Sequence, residues 1–169
     1  GYYDLQIGPS KPRTLQRDLR ATVTATVART PATSLAFRLR FLQVQRCGVI
    51  ATATLDGIPE AALMDIAPTA QGEIVFETTS ATRKFGNLRD NSRVAFVVGW
   101  ENEQTLQIDG IVDAPQGSEL ARLRDFYLSV FPQKASHPSW PGNHYFRVRP
   151  RWMRFSDYHM PRSVEEFRF

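Results

Sequence analysis

Cysteine is nearly missing from this chain. Cys47 is the only one in 169 residues, so no intrachain disulfide can form, and a reducing cytoplasm is the compartment that suits it. A lone thiol of this kind reads as a small buried hydrophobe rather than a nucleophile. Long apolar runs are also lacking. No stretch approaches the roughly 20 residues that a helical membrane span requires, and GYYDLQIGPSKPR does not follow the charged-then-apolar order of a signal peptide. These absences point to a soluble, non-secreted protein with no membrane partner. Repeats and single-residue tracts are absent too, the eleven prolines and ten glycines being spread along the chain, which argues against a linker or a solenoid. The patterns G-x-S-x-G, Walker A and G-x-G-x-x-G do not occur. His137, His144 and His159 show no metal-ligand spacing with one another or with Cys47, so no metal is expected.

What is present fits one globular domain: 42% of residues are hydrophobic and 22% charged, enough to build a sizeable core. The net charge of +4 favours anionic partners in general. The arginines nevertheless do not form one run. Three lie near the N-terminus (Arg13, Arg17, Arg20), and in FRVRPRWMRF Arg147, Arg149, Arg151 and Arg154 alternate with apolar residues. Alternation in a strand produces one wet face and one packed face, so these four read as a solvated surface and nucleic acid is disfavoured as a partner.

The periodicities predict more strand than helix. GVIATATL (48–55) is rich in β-branched residues, Asp56-Gly57 is a turn signal, and IPEAALMDIA (58–67) reads as its hairpin partner. EIVFETT (73–79) is a third strand. RVAFVVGW (93–100) and QTLQIDGIVDA (104–114) form a second hairpin across ENE. From Ser118, read as an N-cap, Leu120, Leu123, Phe126, Tyr127, Val130 and Phe131 recur at helical spacing until Pro132. HYFRVR and RWMRFSDY read as two short strands joined near Pro150, and LAFRLRFLQVQR (35–46) as a helix with Leu35, Leu39 and Leu42 inward. About six strands joined by hairpins, with few helices to cover them, remove their edges by closing into a barrel. The fold class is therefore mainly β, a barrel with peripheral helices, spanning 31–158. Residues 1–30 are read as an arm or tail and 159–169 as a C-terminal tail.

One segment carries chemistry. In TTSATRKFGNLRDN (78–91) a short helix is capped by Thr79 or Ser80, turns Phe85 and Leu88 inward and stops at Asn91. Free amides and the helix dipole at such a start favour negative charge, yet the sequence places Arg83 and Lys84 there. Cations in a first turn cost roughly 0.3 to 1 kcal/mol each unless an anion is bound. With hydroxyls at Thr78, Thr79, Ser80 and Thr82, they make either a phosphate cradle or a solvated helix start.

The order of these segments, DG hairpin, EIVFETTSATRKFGNLRDNSRVAFVVGW, TLQIDGIVD, ELARLRDFYLSVFP and YFRVRPRWMRFSDY, resembles the pyridoxamine 5'-phosphate oxidase-like family of FMN-binding split barrels over about residues 35–158. The resemblance implies a six-stranded antiparallel split barrel, an FMN cofactor and a homodimer with flavin at the subunit interface. It makes Thr78, Thr82, Arg83 and Lys84 the FMN phosphate site, with Glu77 where the family often has tyrosine. Ala61, Ala62, Leu63 and Met64 match the strand along the isoalloxazine ring, without the arginine often found near Ala61. Thr105 or Gln107 matches the polar residue that reaches the flavin across the dimer interface. Tyr127 and Arg162 match substrate contacts. Phe131 replaces an arginine that grips the vitamer phosphate, Val164 falls near a histidine position, and Ser156 stands in place of a flavin-contacting tryptophan.

These replacements imply an FMN-dependent oxidoreductase acting on a small substrate other than pyridoxine 5'-phosphate. A non-catalytic flavin- or haem-binding module with the same barrel is the alternative, and a nucleic-acid-binding small barrel a third.

Overall fold

The computed structural model describes residues 31–135 and 142–169, so the N-terminal arm expected over 1–30 and His137 lie outside the described residues. Helix α1 (Pro31–Gln43) precedes the hairpin of β1 (Cys47–Ala53) and β2 (Pro59–Asp65). Its turn is the expected Asp56-Gly57, with Gly57 at φ 88°, a conformation that costs glycine little. A two-residue strand β3 (Ala67–Pro68) follows, then β4 (Ile74–Thr79), α2 (Arg83–Asp90), β5 (Arg93–Val98) and β6 (Gln104–Asp113). Helices α3 (Gly117–Val130) and α4 (Pro132–Ala135) lead to β7 (Asn143–Asp157) and β8 (Ser163–Arg168).

All strand pairs are antiparallel, in the order β2-β1-β5-β6-β7-β4-β3, with β8 added to β7. Strands β2 and β3 are the two ends of that path, yet Ile66 alone joins them. Two peptide steps span at most about 7 Å. The sheet must therefore curl until its edges meet, which is a mainly antiparallel split barrel.

The barrel interior holds Ile50, Ile66, Ile74, Phe76, Phe96, Val98, Leu106, Ile108, Val148 and Met153, all at most 1% exposed. Helix α1 closes one end: Leu42 is fully buried, and Phe37 and Phe41 meet Phe155 edge-on at 5.1 and 5.2 Å. A second cluster lies outside the barrel wall, where Leu123, Tyr127 and Phe131 cover Val75 and Ala67. Helix α3 thus buries the outer side of β4 and β7, and those strands lose the clean alternation of a one-sided sheet.

Several expectations are corrected. Eight strands form rather than six, and the residues read as a C-terminal tail include β8, which pairs with β7 from Trp152 to Asp157. HYFRVR and RWMRFSDY are one strand of 15 residues. Arg151 bulges between Pro150, opposite Gly110, and Trp152, opposite Asp109. A bulge accommodates a proline that has no N–H to give a ladder. Ser118 lies inside α3, whose N-cap is Gln116. The α2 cap is Thr82 rather than Thr79 or Ser80, accepting from the Phe85 amide at 3.3 Å. Cys47 is half-buried at the start of β1.

The alternating arginines are not uniformly a solvated surface. Arg149 and Arg151 are exposed, but Arg147 is 7% exposed. It donates twice to Asp113, at 3.1 and 2.8 Å, and once to Glu119 at 2.6 Å, with Glu73 at 3.7 Å. The alternation was real, but α3 covers this part of the face and supplies a carboxylate. Hydrogen bonding to Arg122, with further help from Arg147, holds the Glu119 carboxyl down from 4.5 to about 2. Its contribution to stability is therefore complete above about pH 4.5 and is lost as pH falls towards 2. Arg147→Met should lower stability by about 2 kcal/mol at neutral pH in urea denaturation, the scale of hydrogen bonds to charged groups, since it removes the buried guanidinium on which three carboxylates converge and leaves them only Arg122 and Arg149. The gap from wild type should narrow between pH 4.5 and pH 2.

Candidate functional site

Because successive strand residues point to opposite faces, Thr78 and Glu77 of β4 serve two different surroundings. The Thr78 hydroxyl, buried, lies 2.9 Å from the Thr82 hydroxyl, which donates to the Thr79 carbonyl at 3.0 Å. That chain of hydroxyls fixes the start of α2. Lys84 is half-buried there and makes no ion pair among the described residues, while the exposed Arg83 lies 3.8 Å from Glu60. Glu60 is also held by the buried Asn87 amide at 3.2 Å, and Asn87 donates to Thr52 at 3.0 Å. The helix is thus pinned to β1 and β2 through Asn87 with its two cations at the free end.

On the other side of β4, Lys134 gathers what the curled sheet brings together. Its ammonium lies 2.8 Å from Asp65 at the end of β2 and 3.0 Å from Glu77, and it donates to the Tyr127 hydroxyl at 2.8 Å. It also sits over the Tyr127 and Phe131 rings, 5.2 and 5.4 Å from their centroids. Asn143 donates to the second Glu77 oxygen at 3.2 Å. Burial alone would lower the Lys134 ammonium, but the bonds to Asp65, Tyr127 and Glu77 outweigh it and hold the pKa above the ordinary lysine value. Burial pushes the Tyr127 phenol up to about 12, against the pull of Lys134.

Both surroundings open on one cavity of about 350 Å³, lined by Leu63, Met64, Asp65, Glu77, Thr78, Thr79, Thr82, Tyr127, Lys134 and Asn143. The fold therefore brings together seven residues named from sequence: Leu63, Met64, Glu77, Thr78, Thr79, Thr82 and Tyr127. Arg83 and Lys84 follow Thr82 at the start of α2 and do not line the cavity. Ala61 and Ala62 lie further along β2, Ala61 exposed and Ala62 packed towards the core. Phe131 is 6% exposed, its ring 4.9 Å from that of Tyr127, so the position holds a packed aromatic and no anion grip.

Thr105 and Gln107 do not reach the cavity of their own chain. Backbone pairing puts Leu63, Val49, Val97 and Gln107 in one row across β2, β1, β5 and β6, with Gln107 three strands from Leu63, on the order of 14 Å. Arg162 is exposed just before β8, and Val164 is 50% exposed on it. Neither lines the cavity. Asp65, Lys134 and Asn143 were not singled out from sequence. They lie at the end of a strand, past an apparent helix stop at Pro132, and at the start of β7, and carry no motif that groups them.

The class of protein is set by this geometry: an antiparallel split barrel with a cationic helix start beside a cavity where the sheet edges meet. The chain belongs to the pyridoxamine 5'-phosphate oxidase family, whose model matches residues 38–157. No curated protein matches it in sequence. Solved structures share the fold at low identity. A haem-binding protein from Mycobacterium smegmatis aligns with a TM-score of 0.68 at 19% identity, over 84% of this chain and 60% of that one. The chain thus spans about three fifths of that relative's length. PhzG from Burkholderia lata 383, in complex with tetrahydrophenazine-1-carboxylic acid, aligns at 0.58 and 19% identity over 80% and 84% of the two chains. General stress protein 26 from Bacillus anthracis aligns at 0.61 and 19% over 80% and 98%.

The Tyr127 hydroxyl can act as a hydrogen-bond donor or acceptor here but not as a base at neutral pH. In an ultraviolet pH titration one tyrosine should stay protonated until about pH 12. Tyr127→Phe should remove that late step, and a variant that leaves the curve unchanged would place the buried phenol elsewhere.

Proposed function

We propose that this chain binds FMN, with the phosphate at the start of α2, and serves as a flavin-dependent oxidoreductase of the pyridoxamine 5'-phosphate oxidase family. The observation that carries the reading is the cluster at the start of α2: Thr78 and Thr82, which line the cavity, followed by Arg83 and the half-buried Lys84, which makes no ion pair among the described residues. These groups suit a phosphate: hydroxyls that can exchange their present bonds for the anion, helix amides, one guanidinium fork and one point charge. Glu77 lines the same cavity without facing the cradle, since its two oxygens are held by Lys134 and Asn143.

The remaining cofactor contacts follow the strand order. Ala61 and Leu63 present their exposed face, with Ala62 and Met64 behind, as a shelf for the ring. A bound flavin supplies the hydride and electron transfer, while the protein positions it. Its own residues orient the ring, exclude water with Leu63 and Met64, and keep the Tyr127 proton in place. Phe131 offers no cation for a second phosphate, which supports a small substrate other than pyridoxine 5'-phosphate.

Gln107 and Thr105 enter this picture only through a second copy. The outer rows of β2, β1 and β5 hold Leu63, Val49 and Val97, then Ala61, Ala51 and Ala95, a flat apolar face that suits a two-fold partner. A homodimer would bring each Gln107 to the other chain's flavin, with Arg162 as a contact from the partner's end. The single half-buried cysteine fits a cytoplasmic protein, and no helix among the described residues is long and apolar enough to cross a membrane.

A second reading is a non-catalytic flavin- or haem-binding module. It is favoured by the haem-binding neighbour and by His144, exposed with its ring 4.6 Å from that of Phe85 beside a hollow lined by Leu88, Val112 and Phe146. The absorption spectrum of the purified protein separates the two: a yellow solution supports flavin, a Soret band haem.

Lys84→Ala and Arg83→Ala should each weaken FMN binding by about 1.5 to 3 kcal/mol, the scale of a charged hydrogen bond. Riboflavin, which lacks the phosphate, should be indifferent to both. Equal losses for the two ligands in fluorescence titration would defeat the phosphate assignment. Light scattering at micromolar concentration should give the mass of a dimer, and a monomer that retains flavin would contradict the shared site.

A further inference from the structure

The cavity has two unlike walls. Thr78 and Thr82 form one and lead out to the start of α2, where Arg83 and Lys84 follow outside the lining; at the other, Asp65, Glu77 and Lys134 sum to one net negative charge. Lys134 is no free anion receptor. Its three N–H groups have three partners, Asp65, Glu77 and Tyr127, within 3.0 Å. An incoming phosphate or carboxylate would have to break one of those bonds and approach two carboxylates. Glu77 has both oxygens engaged. Asp65 does not. It is 49% exposed, and its Oδ1 receives no hydrogen bond among the described residues, Oδ2 being the oxygen against Lys134.

We propose that Asp65 is the specificity-determining residue of this cavity, taking the protonated amine of a small apolar-bodied substrate on Oδ1 and excluding anionic ones. Leu63, beside Asp65 in the same lining, offers the apolar surface for the body of such a ligand in the flavin-free chain, and the flavin ring resting on Leu63 does so in the loaded one. The inference deepens the flavin reading and rests on it for the word substrate. The charge preference itself rests on the cavity alone. An anion in the cradle strengthens it, because the charges of Arg83 and Lys84 are then cancelled and the far wall is left negative.

The test uses three probes with one phenyl body: benzylamine, benzyl alcohol and benzyl phosphate, titrated calorimetrically into the full chain with and without FMN. Benzylamine should bind at least about tenfold more tightly than benzyl phosphate to the FMN-loaded chain. Asp65→Asn, which keeps the shape, should cost benzylamine about tenfold, the scale of a charged hydrogen bond, and leave benzyl alcohol unchanged. Lys134→Ala, which frees both carboxylates, should bind benzylamine more tightly than wild type. Thermal unfolding of each variant verifies that it is folded. Benzyl phosphate binding as tightly as benzylamine would overturn the proposal. So would equal benzylamine affinity in wild type and Asp65→Asn, or no binding of benzylamine to either. Should the chain fail to take FMN, the flavin reading fails on that titration, and the comparison of wild type with Asp65→Asn in the flavin-free chain still decides the role of Asp65.

Discussion

One connecting residue dictates the shape of this molecule. Ile66 leaves β2, at one end of the strand order, and enters β3, at the other, so the sheet has to close on itself. The link is held rather than merely short: Ile66 is fully buried among the barrel residues, and its amide donates to the Arg46 carbonyl at 3.0 Å. Burying such a side chain contributes about 1.5 to 3 kcal/mol, and here that burial falls at the seam.

Everything at the candidate site follows from that closure. It sets the end of β2, with Leu63, Met64 and Asp65, against the end of β4, with Glu77, Thr78 and Thr79. Helix α2 starts just beyond β4, so its cations arrive at the same place. Helix α3 then covers the outer side of β4 and is fixed there by Leu123, Tyr127 and Phe131 in the second cluster and by Arg147 through Glu119. Lys134 follows directly in α4. It ties the two closed edges through Asp65 and Glu77, which makes it a closing link as well as part of the cavity wall.

Local rules and tertiary packing disagree at two instructive places. A strand broken at Pro150 is what proline chemistry favours, yet β7 runs through because Arg151 bulges and Gly110 sits opposite. Exposed arginines are what alternation favours, yet Arg147 is buried because three carboxylates converge on it: Glu73 just before β4, Asp113 at the end of β6 and Glu119 in the first turn of α3. In both cases the deciding partner is distant in the chain and invisible to a local pattern.

The sequence by itself determined the parts governed by neighbours along the chain: the DG hairpin, the strand periods, the inward face of α3, and the short helix that begins with two cations after a run of hydroxyls. It also carried the family, because those parts recur in a fixed order from Leu35 to Tyr158. Only the tertiary structure decided which hydroxyl caps α2, that the last residues form an edge strand, and that Gln107 stands strands away from its own chain's cavity. It alone joined Asp65, Glu77, Tyr127 and Lys134, residues up to 69 positions apart in the numbering. The physical reason is that a charged site is defined by distances of about 3 Å between side chains, and such distances are set by how the sheet closes, not by how the residues are spaced along the chain.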